Sequence, residues 1–129
     1  MIVVDASAIL VIVFQEEDLA VFEIALAETG GGIMSPVNYW ESLVAARGRL
    51  GDPGEAIVDE IIARTKVDVV SIDIATARAA AVAFARYKGR AGGRLNLGDC
   101  FAYALAQREG DGLLFKGNDF PKTDVKSVL

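Results

Sequence analysis

The 129-residue sequence contains no histidine and only one cysteine, and these two scarcities exclude several kinds of site. Without histidine there can be no Ser-His-Asp or Cys-His relay and no histidine acid–base pair. A single thiol cannot supply a cysteine zinc site, and Cys100 cannot form an internal disulfide, so nothing points to an oxidising compartment. Acidic side chains are therefore the obvious remaining candidates for catalytic chemistry.

Long apolar runs and a basic surplus are also missing. The apolar N-terminal segment, residues 2–14, is interrupted by Asp5, lacks a preceding basic region, and is shorter than the ~20 residues that a membrane-spanning helix needs. We therefore expect no membrane association and a cytoplasmic protein. The net charge of −5 argues against non-specific nucleic-acid binding through a basic face, but not against a nuclease whose acidic site is neutralised by metal.

The residues that are present predict one folded α/β domain spanning residues 1–129. Short apolar runs alternate with helical stretches, which is typical of a parallel sheet covered by helices. Strands are predicted at residues 2–4, 33–34, 67–71 and 112–116, with a possible short fifth strand around Val125. Helix starts are predicted near Ser7, at Ser35-Pro36, at Asp52-Pro53, at Asp73 and at Asn96, because these residues favour capping or first-turn positions.

Four acids, Asp5, Glu41, Asp99 and Asp119, occupy positions where such a fold usually presents chemistry. Asp5 ends the first predicted strand and Asp119 lies a few residues beyond the fourth, while Glu41 and Asp99 fall early in two predicted helices. If the first and fourth strands are neighbours, both strand-end carboxylates reach one crevice, and the two helical acids can point across it. Four converging carboxylates would form a hard oxygen site for Mg²⁺ or Mn²⁺.

Each of the four acids also has a structural interpretation. These are an N-cap for Asp5, a solvated helix face for Glu41, a capping box with Asn96 for Asp99, and an ordinary turn for Asp119. The apolar neighbours Trp40 and Cys100 favour a less exposed setting for Glu41 and Asp99. Spacing alone leaves both interpretations open.

Four short segments, taken together, resemble the PIN-domain ribonucleases, and in particular the VapC-type toxins of bacterial toxin–antitoxin pairs. They are Met1-Ile-Val-Val-Asp5-Ala-Ser7-Ala8, Asn38-Tyr-Trp-Glu41, Leu97-Gly-Asp99-Cys-Phe-Ala102 and Lys116-Gly-Asn-Asp119-Phe120. The segments occur in the family's order, and the likeness spans essentially the whole chain. One segment alone would be weak, whereas the set is specific.

The resemblance implies a three-layer α/β/α domain whose parallel sheet has about five strands in the order 3-2-1-4-5. It implies that Asp5, Glu41, Asp99 and Asp119 bind one or two Mg²⁺ or Mn²⁺ ions, with Ser7 as a supporting hydroxyl. It further implies hydrolysis of RNA by metal-activated water, an antitoxin partner and a homodimer. Water as the nucleophile requires no histidine.

A basic stretch could hold the RNA backbone. Arg86, Lys88, Arg90 and Arg94 follow one another without an intervening acid. The alternative is that Arg86 and Lys88 simply complement the C-terminus of a helix, where cations are favoured.

Two other functions compete with the nuclease hypothesis. One is a haloacid-dehalogenase-type phosphatase with Asp5 as nucleophile, but that family has a second aspartate two residues later, where this chain has Ser7. The other is a non-catalytic PIN-like binding module, which the presence of all four acids disfavours.

Overall fold

The computed structural model describes residues 1–87 and 95–129, and within these ranges it contains four strands and six helices. In chain order they are β1 (Val3–Val4), α1 (Ala6–Val13), α2 (Leu19–Thr29), β2 (Gly32–Met34), α3 (Pro36–Leu50), α4 (Pro53–Arg64), β3 (Val67–Val69), α5 (Ile74–Tyr87), α6 (Leu97–Glu109) and β4 (Leu113–Leu114). None of the described helices combines the length and apolar content needed to cross a bilayer.

The strands form one parallel sheet in the order β3-β2-β1-β4. The first and fourth strands are neighbours, with Val3 opposite Leu113, which confirms the predicted parallel sheet and its order. At the position of the fifth strand, the C-terminal segment makes an isolated parallel bridge between Leu113 and Ser127. The sheet of the described chain therefore has four strands, and its fifth member is reduced to a bridge two residues beyond Val125.

Helices cover both faces of the sheet, so the domain has the predicted three layers. Successive side chains of a strand point to opposite faces. Val4 and Leu114 pack into an apolar cluster with α1, α2, α3 and α4, whereas Val3 and Leu113 pack into a second cluster with α5 and α6. Each such fully buried aliphatic side chain contributes roughly 1.5–3 kcal/mol to folding, so both faces anchor the short strands.

Capping residues set the starts of the helices that carry the acids. Ser35 accepts hydrogen bonds from the backbone N–H groups of Val37 and Asn38, at 3.1 and 3.2 Å, and Pro36 follows at the first position of α3. These contacts confirm the predicted start of α3. The cap predicted at Asp52 is wrong, because its backbone is already helical and its carboxylate instead lies 2.9 Å from Arg47 Nη2.

Candidate metal centre

The four acids line one cleft at the carboxyl end of the sheet. β1 has β2 on one side and β4 on the other, so strand order reverses between β1 and β4, and ligand sites of open α/β sheets form outside such a point. The cleft has a volume of about 410 Å³. This acidic cleft is lined by Asp5, Glu41, Asp99 and Asp119 together with Ala6, Ser7, Leu10, Trp40, Val44, Ala45, Asn96, Lys116 and Phe120.

Asp5 caps α1 and is almost fully buried, with 5% of its surface exposed. Its Oδ2 accepts hydrogen bonds from the Ser7 backbone N–H at 3.0 Å and from the Ser7 hydroxyl at 2.6 Å. The same hydroxyl oxygen accepts a hydrogen bond from the Lys116 N–H at 2.9 Å, which ties the end of β1 to the segment after β4. Burial raises the pKa of Asp5, the Ser7 hydrogen bonds oppose that shift, and the charge of Asp119 adds to it.

Asp99 combines a capping role with a position in the cleft. Its Oδ2 accepts a hydrogen bond from the Asn96 backbone N–H at 3.0 Å, and Asn96 Oδ1 accepts one from the Asp99 N–H at 2.8 Å, which is the predicted capping box. This contact occupies Oδ2 and leaves Oδ1 for a second role. Burial, reinforced by the charges of Asp5, Asp119 and Glu41, raises the pKa of Asp99 to about 7.

Glu41 lies half-buried on α3, with its carboxylate against the first turn of α6. Asn38 Nδ2 donates a hydrogen bond to Glu41 Oε1 at 2.9 Å. Across the contact is Gly98, where a Cβ atom would lie 2.1 Å from each of the two Glu41 oxygens. Burial raises the pKa of Glu41, the hydrogen bond from Asn38 opposes this, and the charge of Asp5 adds to it. A glycine at position 98 is therefore a steric requirement of the Glu41 position.

We expect Gly98→Ala to displace the Glu41 carboxylate and to lower the RNA cleavage that the family resemblance implies on the order of 10²-fold, the cost of misplacing a reacting group by about 1 Å. Gly48→Ala is the matched control, because Gly48 also lies on a helix, α3, and a Cβ atom there would meet no described atom within 4 Å. The control is expected to retain activity and to gain slight helix stability. Equal activity of the two variants in a fluorescent RNA cleavage assay would contradict the steric role of Gly98.

The charge of the cleft is not compensated by the described basic residues. Over residues 1–87 and 95–129, no lysine or arginine forms an ion pair with any of the four acids. Lys116 lines the cleft, but its ammonium group lies 2.8 Å from Glu16 Oε1 and 3.1 Å from Asp18 Oδ1. Negative charge therefore accumulates on hard oxygen donors, and this donor set fits Mg²⁺ or Mn²⁺.

The side chains do not form a closed ligand cage. Within the described part of the chain, no three aspartate, glutamate or cysteine side chains are grouped closely enough to hold a metal ion. Like charges disfavour one another at short range, which keeps uncompensated carboxylates apart. A divalent cation would offset that repulsion between the four acids, which line the same cleft.

The basic stretch lies largely beyond the described residues. Lys88, Arg90 and Arg94 fall outside them, so their role in RNA binding stays a prediction. Arg86 lies at the end of α5, with its guanidinium 3.9 Å from Asp124 Oδ2, and it is not among the residues that line the acidic cleft. Its role in RNA binding is equally a prediction.

Sequence reasoning assigned no role to Asn38 or Gly98. Asn38 lies three residues before Glu41, and this spacing places two side chains on one helix face, so a partnership was readable from the sequence. The Gly98 contact depends on the approach of α3 to α6 and left no local signal. Trp40, beside Glu41, is 60% exposed at the cleft, whereas Cys100, beside Asp99, is buried.

The domain has three layers, and its four carboxylates lie where the strand order of a parallel sheet reverses. These features define a class of α/β protein with an acidic site whose oxygen atoms suit a metal ion.

Residues 2–126 match the PIN domain family. The chain is 42% identical over 127 residues to "Ribonuclease VapC" of Mycolicibacterium smegmatis, covering 98% of both chains. It is 39% identical to "Ribonuclease VapC30" of Mycobacterium tuberculosis, covering 98% of this chain and 97% of that protein. It is also 39% identical to "Ribonuclease VapC42" of the same organism, covering 96% of each.

The chain belongs to the PIN-domain family, and its likeness to VapC ribonucleases extends over nearly its full length. This membership confirms the resemblance drawn from the four sequence segments. It favours the nuclease interpretation over the phosphatase one, which required Asp5 as a nucleophile.

Proposed function

We propose that this protein is a metal-dependent endoribonuclease that acts as the toxin of a type II toxin–antitoxin pair. The observation that carries the proposal is the gathering of Asp5, Glu41, Asp99 and Asp119 in one cleft without a basic partner among the described residues. Relatives named as VapC ribonucleases support RNA as the substrate.

The four acids would hold Mg²⁺ or Mn²⁺, and the cation supplies the Lewis acidity that lowers the pKa of water and stabilises charge on the scissile phosphate. The protein's own contribution is orientation. Ser7 fixes one oxygen of Asp5, Asn96 fixes one oxygen of Asp99, and Gly98 leaves room for Glu41. Attack by water, rather than by the ribose 2′-hydroxyl, gives a 5′-phosphate and a 3′-hydroxyl as products.

The test is incubation of the purified protein with a labelled structured RNA in Mg²⁺, in Mn²⁺ and in EDTA, followed by analysis of the new ends. We expect internal cleavage in either metal, 5′-phosphate ends that a ligase accepts, and no cleavage in EDTA. Undiminished cleavage in EDTA would contradict the metal-dependent mechanism. An aspartyl phosphate trapped at Asp5 during turnover, without RNA cleavage, would favour the phosphatase hypothesis instead.

We further propose a cytoplasmic protein that binds an antitoxin and forms a homodimer. The exposed apolar side chains Ile74 and Val82 on α5 and Leu97 on α6 support a protein partner on this side of the domain. Docking a second copy here would bury these side chains against one another. Light scattering of the isolated protein tests this part, since a monomer mass at micromolar concentration would contradict the homodimer.

A further inference from the structure

Asn38 lies behind the acidic cleft at the meeting point of three elements. Its side chain is fully buried on α3, one turn before Glu41. Its Nδ2 lies 2.9 Å from Glu41 Oε1, 3.0 Å from the Gly98 carbonyl oxygen in α6, and 3.5 Å from Asp5 Oδ1 at the end of β1. One amide group thus contacts two of the four acids and the residue next to a third.

The Asn38 amide donates hydrogen bonds but carries no charge that would neutralise the carboxylates. Its two N–H hydrogens serve the short contacts to Glu41 and to Gly98, and Asp5 lies at the limit of hydrogen-bond distance. A lysine or arginine in this place would compensate the carboxylates and compete with a cation. Asparagine instead orients the carboxylates while leaving their charge for the metal.

The other end of the amide shows that Asn38 is not placed for stability alone. Within the described residues, Asn38 Oδ1 is buried and has no hydrogen-bond partner. An unpaired buried acceptor destabilises the folded state. The reverse orientation of the amide would direct Oδ1 at three acceptor oxygens, so the surroundings fix which end faces the acids. The fold therefore keeps a costly arrangement to keep the N–H groups in this position.

Asn38 and Gly98 constrain the Glu41 carboxylate from two sides. The amide draws one oxygen inward, while the missing side chain of Gly98 leaves the space that the carboxylate occupies. The bond from Asn38 to the Gly98 carbonyl also fixes the first turn of α6, which carries Asp99. The separation of 60 residues between the bonded groups makes this a tertiary link between the two helices.

We propose that Asn38 is a positioning residue that holds Glu41, and through Gly98 the start of α6, in the arrangement that takes up a divalent cation. The inference rests on the metal-dependent function proposed above. Asn38 acts through the acids, because it is fully buried and is not among the residues that line the cleft. Loss of orienting partners around metal ligands typically weakens metal binding about 10- to 100-fold.

The test is titration of the purified full chain with Mn²⁺, followed by calorimetry or by the electron paramagnetic resonance signal of free Mn²⁺. Two variants remove the donor: Asn38→Ala, and Asn38→Leu, which keeps the volume and replaces an amide whose oxygen is already unpaired. We expect Mn²⁺ binding to weaken about 10- to 100-fold in both. Ser42→Ala is the matched control, because Ser42 lies one turn further on the same buried face and its hydroxyl donates a hydrogen bond to the backbone carbonyl oxygen of Asn38 at 2.9 Å.

Thermal unfolding in EDTA separates positioning from a purely structural role. A folded Asn38→Leu or Asn38→Ala protein that binds Mn²⁺ within twofold of the wild type overturns the inference, whatever its melting temperature. Weakened Mn²⁺ binding in a folded variant, with the Ser42→Ala affinity unchanged, supports it. If the wild type itself binds no Mn²⁺, the proposed function fails first and the inference with it.

Discussion

Replacing Asp99 by asparagine is expected to lower RNA cleavage by about 10³-fold, because metal-stabilised charge contributes several kcal/mol and each 1.36 kcal/mol is tenfold in rate. Asparagine keeps the size of the side chain and an oxygen that can accept the Asn96 N–H, so α6 retains its cap. What is lost is one negative charge in the cleft. Cleavage rates measured under single-turnover conditions, with circular dichroism to verify folding, check this expectation.

Asp5→Asn is the companion variant, and the same loss is expected because asparagine is also a good N-cap. Asp68→Asn serves as the matched control, since Asp68 is an exposed aspartate on β3 and is not among the residues that line the cleft. The control should cleave at the wild-type rate. If the Asp99→Asn variant cleaves RNA within a few fold of the wild-type rate, Asp99 is not a metal ligand that cleavage requires.

The parts of the site that follow strand ends could be predicted from the sequence. Asp5 directly follows an apolar strand, and Asp119 lies shortly after another, so a parallel sheet places both at one edge. Whether the two strands are neighbours could not be read from spacing, and the family resemblance supplied that order. The capping box of Asp99 was visible locally because its partners are three residues apart.

The parts that depend on contact between helices could not be predicted. Gly98 meets Glu41 only because α3 and α6 approach each other, and no local pattern encodes that approach. Apolar composition was also a poor guide to burial: Trp40 is mostly exposed, while the polar Asn38 on the same helix is fully buried. The burial of Asn38 is expected from the positioning role proposed for it, because a polar group behind the acids can orient them.

The raised pKa values of the cleft acids predict how stability of the metal-free protein depends on pH. The pKa of Asp99 rises from 3.8 to about 7 on folding, and those of Asp5 and Glu41 shift in the same direction. Well below about pH 4, Asp99 is protonated in both the folded and the unfolded state and does not make the free energy of unfolding depend on pH. As the pH rises towards 7, the unfolded chain ionises Asp99 before the folded one does, so stability falls.

Three other aspartates have lowered pKa values, and these affect stability in a different pH range. The pKa values of Asp73, Asp111 and Asp124 are lowered, by hydrogen bonds from Thr76, from the N-terminal amine and from Tyr103 respectively. A lowered pKa stabilises the fold above the unfolded value, and that contribution is lost as the pH falls below about 4. Between about pH 5 and pH 7.5, the cleft acids therefore dominate the expected slope.

We expect the protein in EDTA to melt several degrees higher near pH 5 than near pH 7.5. The Asp99 contribution is at most about 2.5 kcal/mol, because about two units of its pKa shift lie above pH 5 and each unit corresponds to about 1.4 kcal/mol. Saturating Mg²⁺ or Mn²⁺ should reverse the order, because the ion binds ionised carboxylates and stabilises by about 2.7 kcal/mol at a hundredfold excess over Kd. Asp99→Asn should weaken the dependence of the melting temperature on pH in EDTA and raise the melting temperature near neutral pH. The negative charge that favours metal binding is therefore the same charge that destabilises the metal-free fold. A melting temperature in EDTA that rises from pH 5 to pH 7.5 would contradict this coupling.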